Sequence, residues 1–152
     1  MKTLFTTLLI IVCLNANAQS KLNVQAGYKS FGVGYVFQNE DFLNFGVSAS
    51  IVDSGIVEKR ANRNDTSKKV HTFHSDVVPA IFGTVGGTFD RVTITGKGGV
   101  AHLQQSIQGE KEPQNIYWAV GVAIDYQIND QFGFIFSYDN INSGMAGITF
   151  DF

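Results

Sequence analysis

Residues Gly144 to Phe152 read GMAGITFDF. Counting back from the end, Phe152, Phe150, Ile148 and Ala146 are apolar at every second position, and Asp151, Thr149 and Gly147 fall between them. Successive side chains of a strand point to opposite faces, so this spacing predicts a strand with one apolar face. A soluble protein would seldom place two phenylalanines, one of them at the carboxyl terminus, where a chain is expected to fray.

The other end has a different pattern. Residues 1–18, MKTLFTTLLIIVCLNANA, carry Lys2, an apolar run from Leu4 to Leu14 and small residues at Ala16 and Ala18. This is the layout of a secretory signal peptide cut after Ala18. The run is shorter than the roughly 20 residues a membrane-spanning helix needs, and no later stretch supplies them. Cys13 follows the bulky Val12, unlike a lipoprotein signal, and is expected to leave with the peptide. The predicted organisation is a signal peptide, 1–18, and one domain, 19–152. That domain has no cysteine, so no disulfide is available to hold it outside the cytoplasm.

Without Lys2 the chain has 10 basic and 13 acidic side chains, a net charge of −3 with neutral histidines, which gives no reason to expect nucleic acid as a partner. Two prolines against 16 glycines, 13 phenylalanines and five tyrosines describe strand and turn material rather than helix.

Taken in order, the domain divides into eight alternating segments. Leu22, Val24, Ala26 and Tyr28 form one face of the first, and after Lys29-Ser30 the second shows Phe31, Val33, Tyr35 and Phe37. Gln38 to Asp41 turns into a third strand with Leu43, Phe45, Val47, Ala49 and Ile51 on one side. From Ser54 to Val70 the alternation stops, which reads as a polar loop. The fourth segment, His71 to Thr84, places Phe73, Val77 and Ile81 on one face, with a bulge expected at Pro79. Val85 to Asp90, with Gly86-Gly87, reads as a turn. Arg91 to Gln105 is the fifth strand, Ser106 to Asn115 a second polar loop, and Ile116 to Ile128 the sixth strand. Phe132, Phe134, Phe136 and Tyr138 mark the seventh, and the closing stretch is the eighth.

Alternation suits either a membrane barrel, apolar outside, or a soluble ligand carrier, apolar inside. The polar face separates them. Its expected charges are only Asp76, Lys97, Asp125, Asp139 and Asp151, among many glycines, whereas a face washed by bulk water is richer in Lys and Glu. Small residues fit the interior of a narrow cylinder. The apolar face has no charge between the turns, as lipid contact requires, since a charge there costs up to about 2–4 kcal/mol. Tyr28, Phe31, Phe73, Trp118 and Tyr138 are expected at one rim, and Phe37, Phe45, Tyr126, Phe132, Phe150 and Phe152 at the other, as aromatic girdles.

Signal peptide, eight strands, short turns alternating with long loops and terminal Phe152 together resemble the small outer-membrane β-barrels of the OmpA/OmpX type, in the porin-like barrel superfamily. The resemblance covers the whole domain and implies an all-β, antiparallel, eight-stranded transmembrane up-and-down barrel in the outer membrane of a Gram-negative bacterium. It also implies that Ile148, Phe150 and Phe152 are the signal read by the barrel assembly machinery. The chain would contact outer-membrane lipid and lipopolysaccharide as a monomer. Members include structural anchors, adhesins, immune-evasion factors and lipid-modifying enzymes, so the fold leaves function open.

The expected role is structural or surface interaction, with a lumen filled by side chains. A lumen cluster of His74, Asp76, Arg91, Lys97, Asp125 and Asp139 is expected to plug the barrel, since buried charges must be paired. The loop carrying Lys59, Arg60, Arg63, Lys68 and Lys69 against Glu58 and Asp65 has a net charge of +3 and suits anionic lipopolysaccharide. A narrow transport or lipid- or small-ligand-binding barrel is the alternative. A lipid-A-modifying enzyme is the third reading, although His71, His74 and Ser75 form no His-x-Ser pair and no catalytic residues are assigned. His102 completes three scattered histidines without metal spacing, so neither a metal nor a cofactor is expected.

Overall fold

The computed structural model describes residues 19–38, 42–64, 66, 69–108 and 114–152. The predicted signal peptide, with Cys13, lies outside them, as do Lys68, Asp65 and residues 109–113 of the second polar loop. In chain order the elements are β1 (Gln19–Gly27), β2 (Ser30–Gln38), β3 (Leu43–Asp53), α1 (Ser54–Asn64), β4 (His71–Phe73), β5 (Val77–Phe89), β6 (Val92–Ile107), β7 (Gln114–Gln127), β8 (Phe132–Asp139) and β9 (Ser143–Asp151).

Apart from β4, the strands form one antiparallel sheet in which each pairs with its neighbour, and β1 returns to pair with β9. The cylinder is therefore closed by the stretch that ends the sequence. Leu22 faces Phe150, Val24 faces Ile148 and Ala26 faces Ala146. Beyond the ladder, Ser20 and Phe152 exchange both backbone hydrogen bonds, at 3.0 and 3.1 Å.

Sidedness decides the class of barrel. Ile81, Phe136 and Trp118 are 64%, 61% and 77% exposed on the outer face, while Asn23, Gln25, Thr93, Lys97 and Asp139 are buried inside. An apolar exterior this extensive is a surface for lipid, not water. No helix among the described residues is long and apolar enough to cross a membrane. The crossing elements are strands. At the end that carries the termini, Phe132 stacks edge-on to Phe150 at 5.3 Å, Tyr35 to Phe37 at 4.7 Å and Phe42 to Phe89 at 4.7 Å, forming one rim of aromatics. The links after β2, β5 and β7 share that end, and α1 and the β6–β7 connection lie at the opposite mouth.

Five local expectations are corrected. Residues 54–64 of the polar loop are the helix α1. Asp53 caps it, accepting a hydrogen bond from the Gly55 amide at 3.1 Å, and Val57, Arg60, Ala61 and Asn64 then share one helical face. The fourth segment is interrupted at 74–76, leaving β4 paired with the upper part of β6 and β5 running on to Phe89. Pro79 sits in unbroken register opposite Ile51, and pairing with β6 begins only at Ala80, so its missing N–H disturbs nothing on that side. The irregularity falls instead between β6 and β7, around His102 to Gln105. Gly86 and Gly87 pair within the sheet, and the turn is Asp90-Arg91, with Asp90 at φ 55°. Phe73 packs inward against the cluster beneath α1, not outward as a girdle residue, because the break at 74–76 resets which face its strand presents.

Candidate functional site

The interior is layered along the barrel axis. Nearest the open mouth, Val52, Val78, Ala80, Phe82, Ala101, Leu103, Ala119 and Ile141 form an apolar cluster closed from above by Val57 of α1. The helix is fastened over it by polar side chains. Arg60 donates to the carbonyls of Asn140 and Ile141 at 2.5 and 3.2 Å and to the Ser143 hydroxyl, tying α1 to the β8–β9 turn. Asn62 brackets His71 through its N–H and C=O, at 2.7 and 2.9 Å, and Glu58 accepts the Phe73 amide at 3.0 Å. Apart from the bond to the Ser143 hydroxyl, each occupies a backbone group that the end of a strand or turn leaves open.

Below this ceiling lies an ion pair. Lys97 of β6 reaches across β7 to Asp139 of β8, with Nζ to Oδ2 at 2.9 Å and side chains 4% and 0% exposed. Between them in the same row sits Gly121. A Cβ at that position would lie 2.5 Å from the Asp139 Cβ, so the glycine keeps the passage open. The Lys97 ammonium also sits 4.4 Å from the centre of the Phe82 ring. Asp139 Oδ1 accepts the amides of Ile141 and Asn142 at 3.1 and 2.6 Å, and the Asn142 amide group spans on to Ser50 at 2.7 Å. A buried charge is tolerable when paired and hydrogen-bonded in this way.

Toward the termini a second cluster is built around Lys21. Its Nζ lies 3.5 Å from Asp125 and 3.7 Å from Asp151, and Thr149 donates to Asp125 at 3.2 Å. Gly133 repeats the clearance seen at Gly121, since a Cβ there would come within 2.8 Å of Asp125 Oδ1. Between the two clusters Gln25 bonds Asn23 at 2.9 Å and accepts from Ser137.

Of the six residues expected in one lumen cluster, the structure brings together Lys97 and Asp139. Asp125 is in the lumen but belongs to the Lys21 cluster. His74, Asp76 and Arg91 are exposed, outside the lumen. They lie in the break before β5 and in the β5–β6 turn, where strand parity no longer sets direction. His74 Nε2 instead meets Ser106 at 2.5 Å on the outside of β6. Lys21 was missed because the alternation was counted from Leu22. The residue before an outward leucine faces inward, and that parity was the available signal. Of the basic segment, Lys59, Arg63 and Lys69 are exposed and Arg60 is committed to the β8–β9 turn. Ile148, Phe150 and Phe152 form the expected outward row on β9 and beyond it.

Among the described residues no group of His, Cys, Asp and Glu is placed to hold a metal ion. At the mouth a cavity of about 450 Å³ is bounded by α1, β4, β6, β7, β8 and the β8–β9 turn. Gln105 projects into it and is 1% exposed, with neither amide atom hydrogen-bonded.

The structure aligns with the outer-membrane protein Ail of Yersinia pestis, solved in a phospholipid bilayer nanodisc, with a TM-score of 0.55 over 89% of this chain and 98% of that one. The fold is that of the small outer-membrane β-barrels. Identity to Ail is 14%. The N-terminal barrel of Pseudomonas aeruginosa OprF aligns with a TM-score of 0.49, 12% identity and coverage of 89% and 96%. Neisserial surface protein A aligns at 0.42, 14% identity and coverage of 89% and 94%. No protein-family model and no curated protein matches the sequence.

Proposed function

We propose that the chain is an integral outer-membrane protein of a Gram-negative bacterium with a structural or surface-interaction role, its lumen filled by its own side chains and closed to permeation. The observation that carries this reading is the stacking of an apolar ceiling on two ion clusters across the bore. The void beside Lys97 measures about 30 Å³, room for about one or two waters. A transport path would need continuous space, which this packing opposes.

In this reading residues 1–18 direct export, and Ile148, Phe150 and Phe152 engage the assembly machinery. The barrel acts as a monomer without catalysis. An enzyme would need a nucleophile, a base and an orienting acid. His74 and Ser106 supply two, but no carboxylate partners His74 among the described residues. Lys59 and Arg63 are exposed on α1 at the mouth, and their positive charge suits the anionic groups of lipopolysaccharide. Lys59→Gln with Arg63→Gln should weaken lipopolysaccharide binding in a salt-dependent manner.

Gel mobility of protein from purified outer membranes, in SDS with and without boiling, tests the core of the proposal. A shift on heating is expected of a closed, detergent-resistant barrel. A soluble periplasmic protein with unchanged mobility would overturn it.

A further inference from the structure

The outer apolar belt is of unequal height around the barrel. On four consecutive strands, β8, β9, β1 and β2, its outward side chains span 132–138, 146–152, 22–28 and 31–37. Six strand steps of about 3.4 Å, tilted about 40°, rise only about 16 Å along the barrel axis. On β5 and β7, which flank β6, the corresponding runs are 77–89 and 116–128 and rise about 31 Å on the same geometry.

Polar residues end the short runs. Lys29 follows Tyr28 in the β1–β2 turn, and Asp130 lies exposed just before β8. The step in the belt is abrupt between β8 and β7. The Asn140 amide donates to the Val120 carbonyl at 3.1 Å, so a polar residue ends the β8 run at the level of Val120. At that point β7 continues upward through Trp118 and Ile116, 77% and 71% exposed.

A barrel's apolar band is ordinarily about 25 Å tall, so the β5 and β7 runs are tall enough for a bilayer and the short face falls about 9 Å below it. Tilting the barrel moves both ends of that face together and cannot close the gap. A bilayer of full thickness would draw hydrocarbon over Lys29 or Asp130, whereas lipid chains can shorten or splay at modest cost. We infer that the face formed by β8, β9, β1 and β2 thins the outer membrane beside it, holding an annulus of lipid with shortened or splayed chains. Lipid is the partner rather than a second copy. Between its rims the face carries no outward charged or amide side chain to set the register of a protein contact, and lipid needs none.

The inference rests on the outer-membrane reading, and the test separates the two. The mature barrel is folded into vesicles of dioleoyl phosphatidylcholine, with closure of every variant checked by heat-shifted gel mobility. Failure to insert would count against the outer-membrane reading and the inference together; a flat bilayer around an inserted, closed barrel would count against the inference alone. The mature domain has no cysteine, so single cysteines carry spin labels selectively. Labels at Phe31→Cys and Phe37→Cys mark the two ends of the short face, and Val77→Cys and Phe89→Cys those of a tall run. Phe132→Cys and Tyr138→Cys read the short face again on β8, should a β2 variant fail to close. Oxygen and nickel-chelate accessibilities give each label's depth below the nearer edge of the hydrocarbon. In an undisturbed core about 30 Å thick, the two short-face depths would add to about 14 Å. With thinning they should add to about 5 Å or less, close to the sum on the tall run. A short-face sum near the undisturbed value would overturn the inference. So would short-face labels shielded from both reagents, since a second copy would then cover the face in place of lipid.

Discussion

At the upper level of the lumen one lysine meets one carboxylate at 2.9 Å, both side chains almost wholly buried, with an aromatic ring beside the ammonium and two backbone amides on the acid. At the lower level one lysine is shared by two carboxylates at 3.5 and 3.7 Å, near the end that carries the termini. The upper pair is balanced in charge, and its carboxylate accepts from two backbone amides as well as from Lys97. The lower cluster has an excess negative charge and longer contacts. Burial explains the contrast, since a charge pair beneath an apolar ceiling has little access to water, and the protein supplies most of its bonding itself. The upper pair thus acts as a lock across three strands, and the lower one as a looser brace.

The largest break is expected from Asp139→Ala. It strands Lys97 and also releases the β8–β9 turn amides, so urea unfolding in detergent should show a loss at or above the top of the range of about 3–5 kcal/mol for breaking a buried pair. Lys97→Met should fall toward the lower part of that range, since Asp139 keeps its amide donors. Pairing Lys97→Met with Asp139→Leu should recover part of the loss, as expected of a polar pair replaced by apolar volume. No recovery would show that the turn bonds, rather than the ion pair, dominate.

Lys21→Met should cost less, about 1–3 kcal/mol in the same assay, because longer contacts near the open end leave its carboxylates closer to water. A loss equal to that of Lys97→Met would erase the distinction between lock and brace. Arg60→Ala should cost about 1–2 kcal/mol and loosen α1 specifically, seen as faster amide exchange in residues 54–64 with β6–β8 unchanged.

The smallest effect is at the rim. Asp53 is held below the usual carboxylate range chiefly by its hydrogen bond with Lys29, at 3.1 Å, and it also caps α1. A depressed folded pKa contributes stability that is complete above the ordinary carboxylate value and is lost as pH falls through the folded value. Acidification into that range should therefore speed exchange at the start of α1 before it affects the lumen. Asp53→Asn should remove the pH dependence.

The same comparison explains what could be read from sequence. Inward and outward facing of the strands followed from alternation, because the pleat leaves only two directions, and GMAGITFDF gave the closing strand directly. Lys97 and Asp139 were placed on inward faces by the same count. Their pairing with each other, rather than with Asp125, depends on the stagger between strands and on Gly121, which composition does not order. Parity fails where strands end, and so it does not reveal that His74, Asp76 and Arg91 are exposed. The helix was hidden by its polarity. Its apolar contribution is little more than Ile56, Val57 and Ala61, and it is held by Arg60, Asn62 and Glu58 bonding to backbone groups elsewhere. Gln105 carried no sequence signal, since only its burial in the folded barrel makes its amide unusual.

Single-molecule conductance of the folded barrel in a planar bilayer tests the sealed lumen most directly. The expected result is no steady current steps from the parent, and none from Lys97→Met despite its lower stability, because the apolar ceiling still closes the bore. Reproducible ion-selective steps from the parent protein would contradict a side-chain seal and make the lumen a pathway.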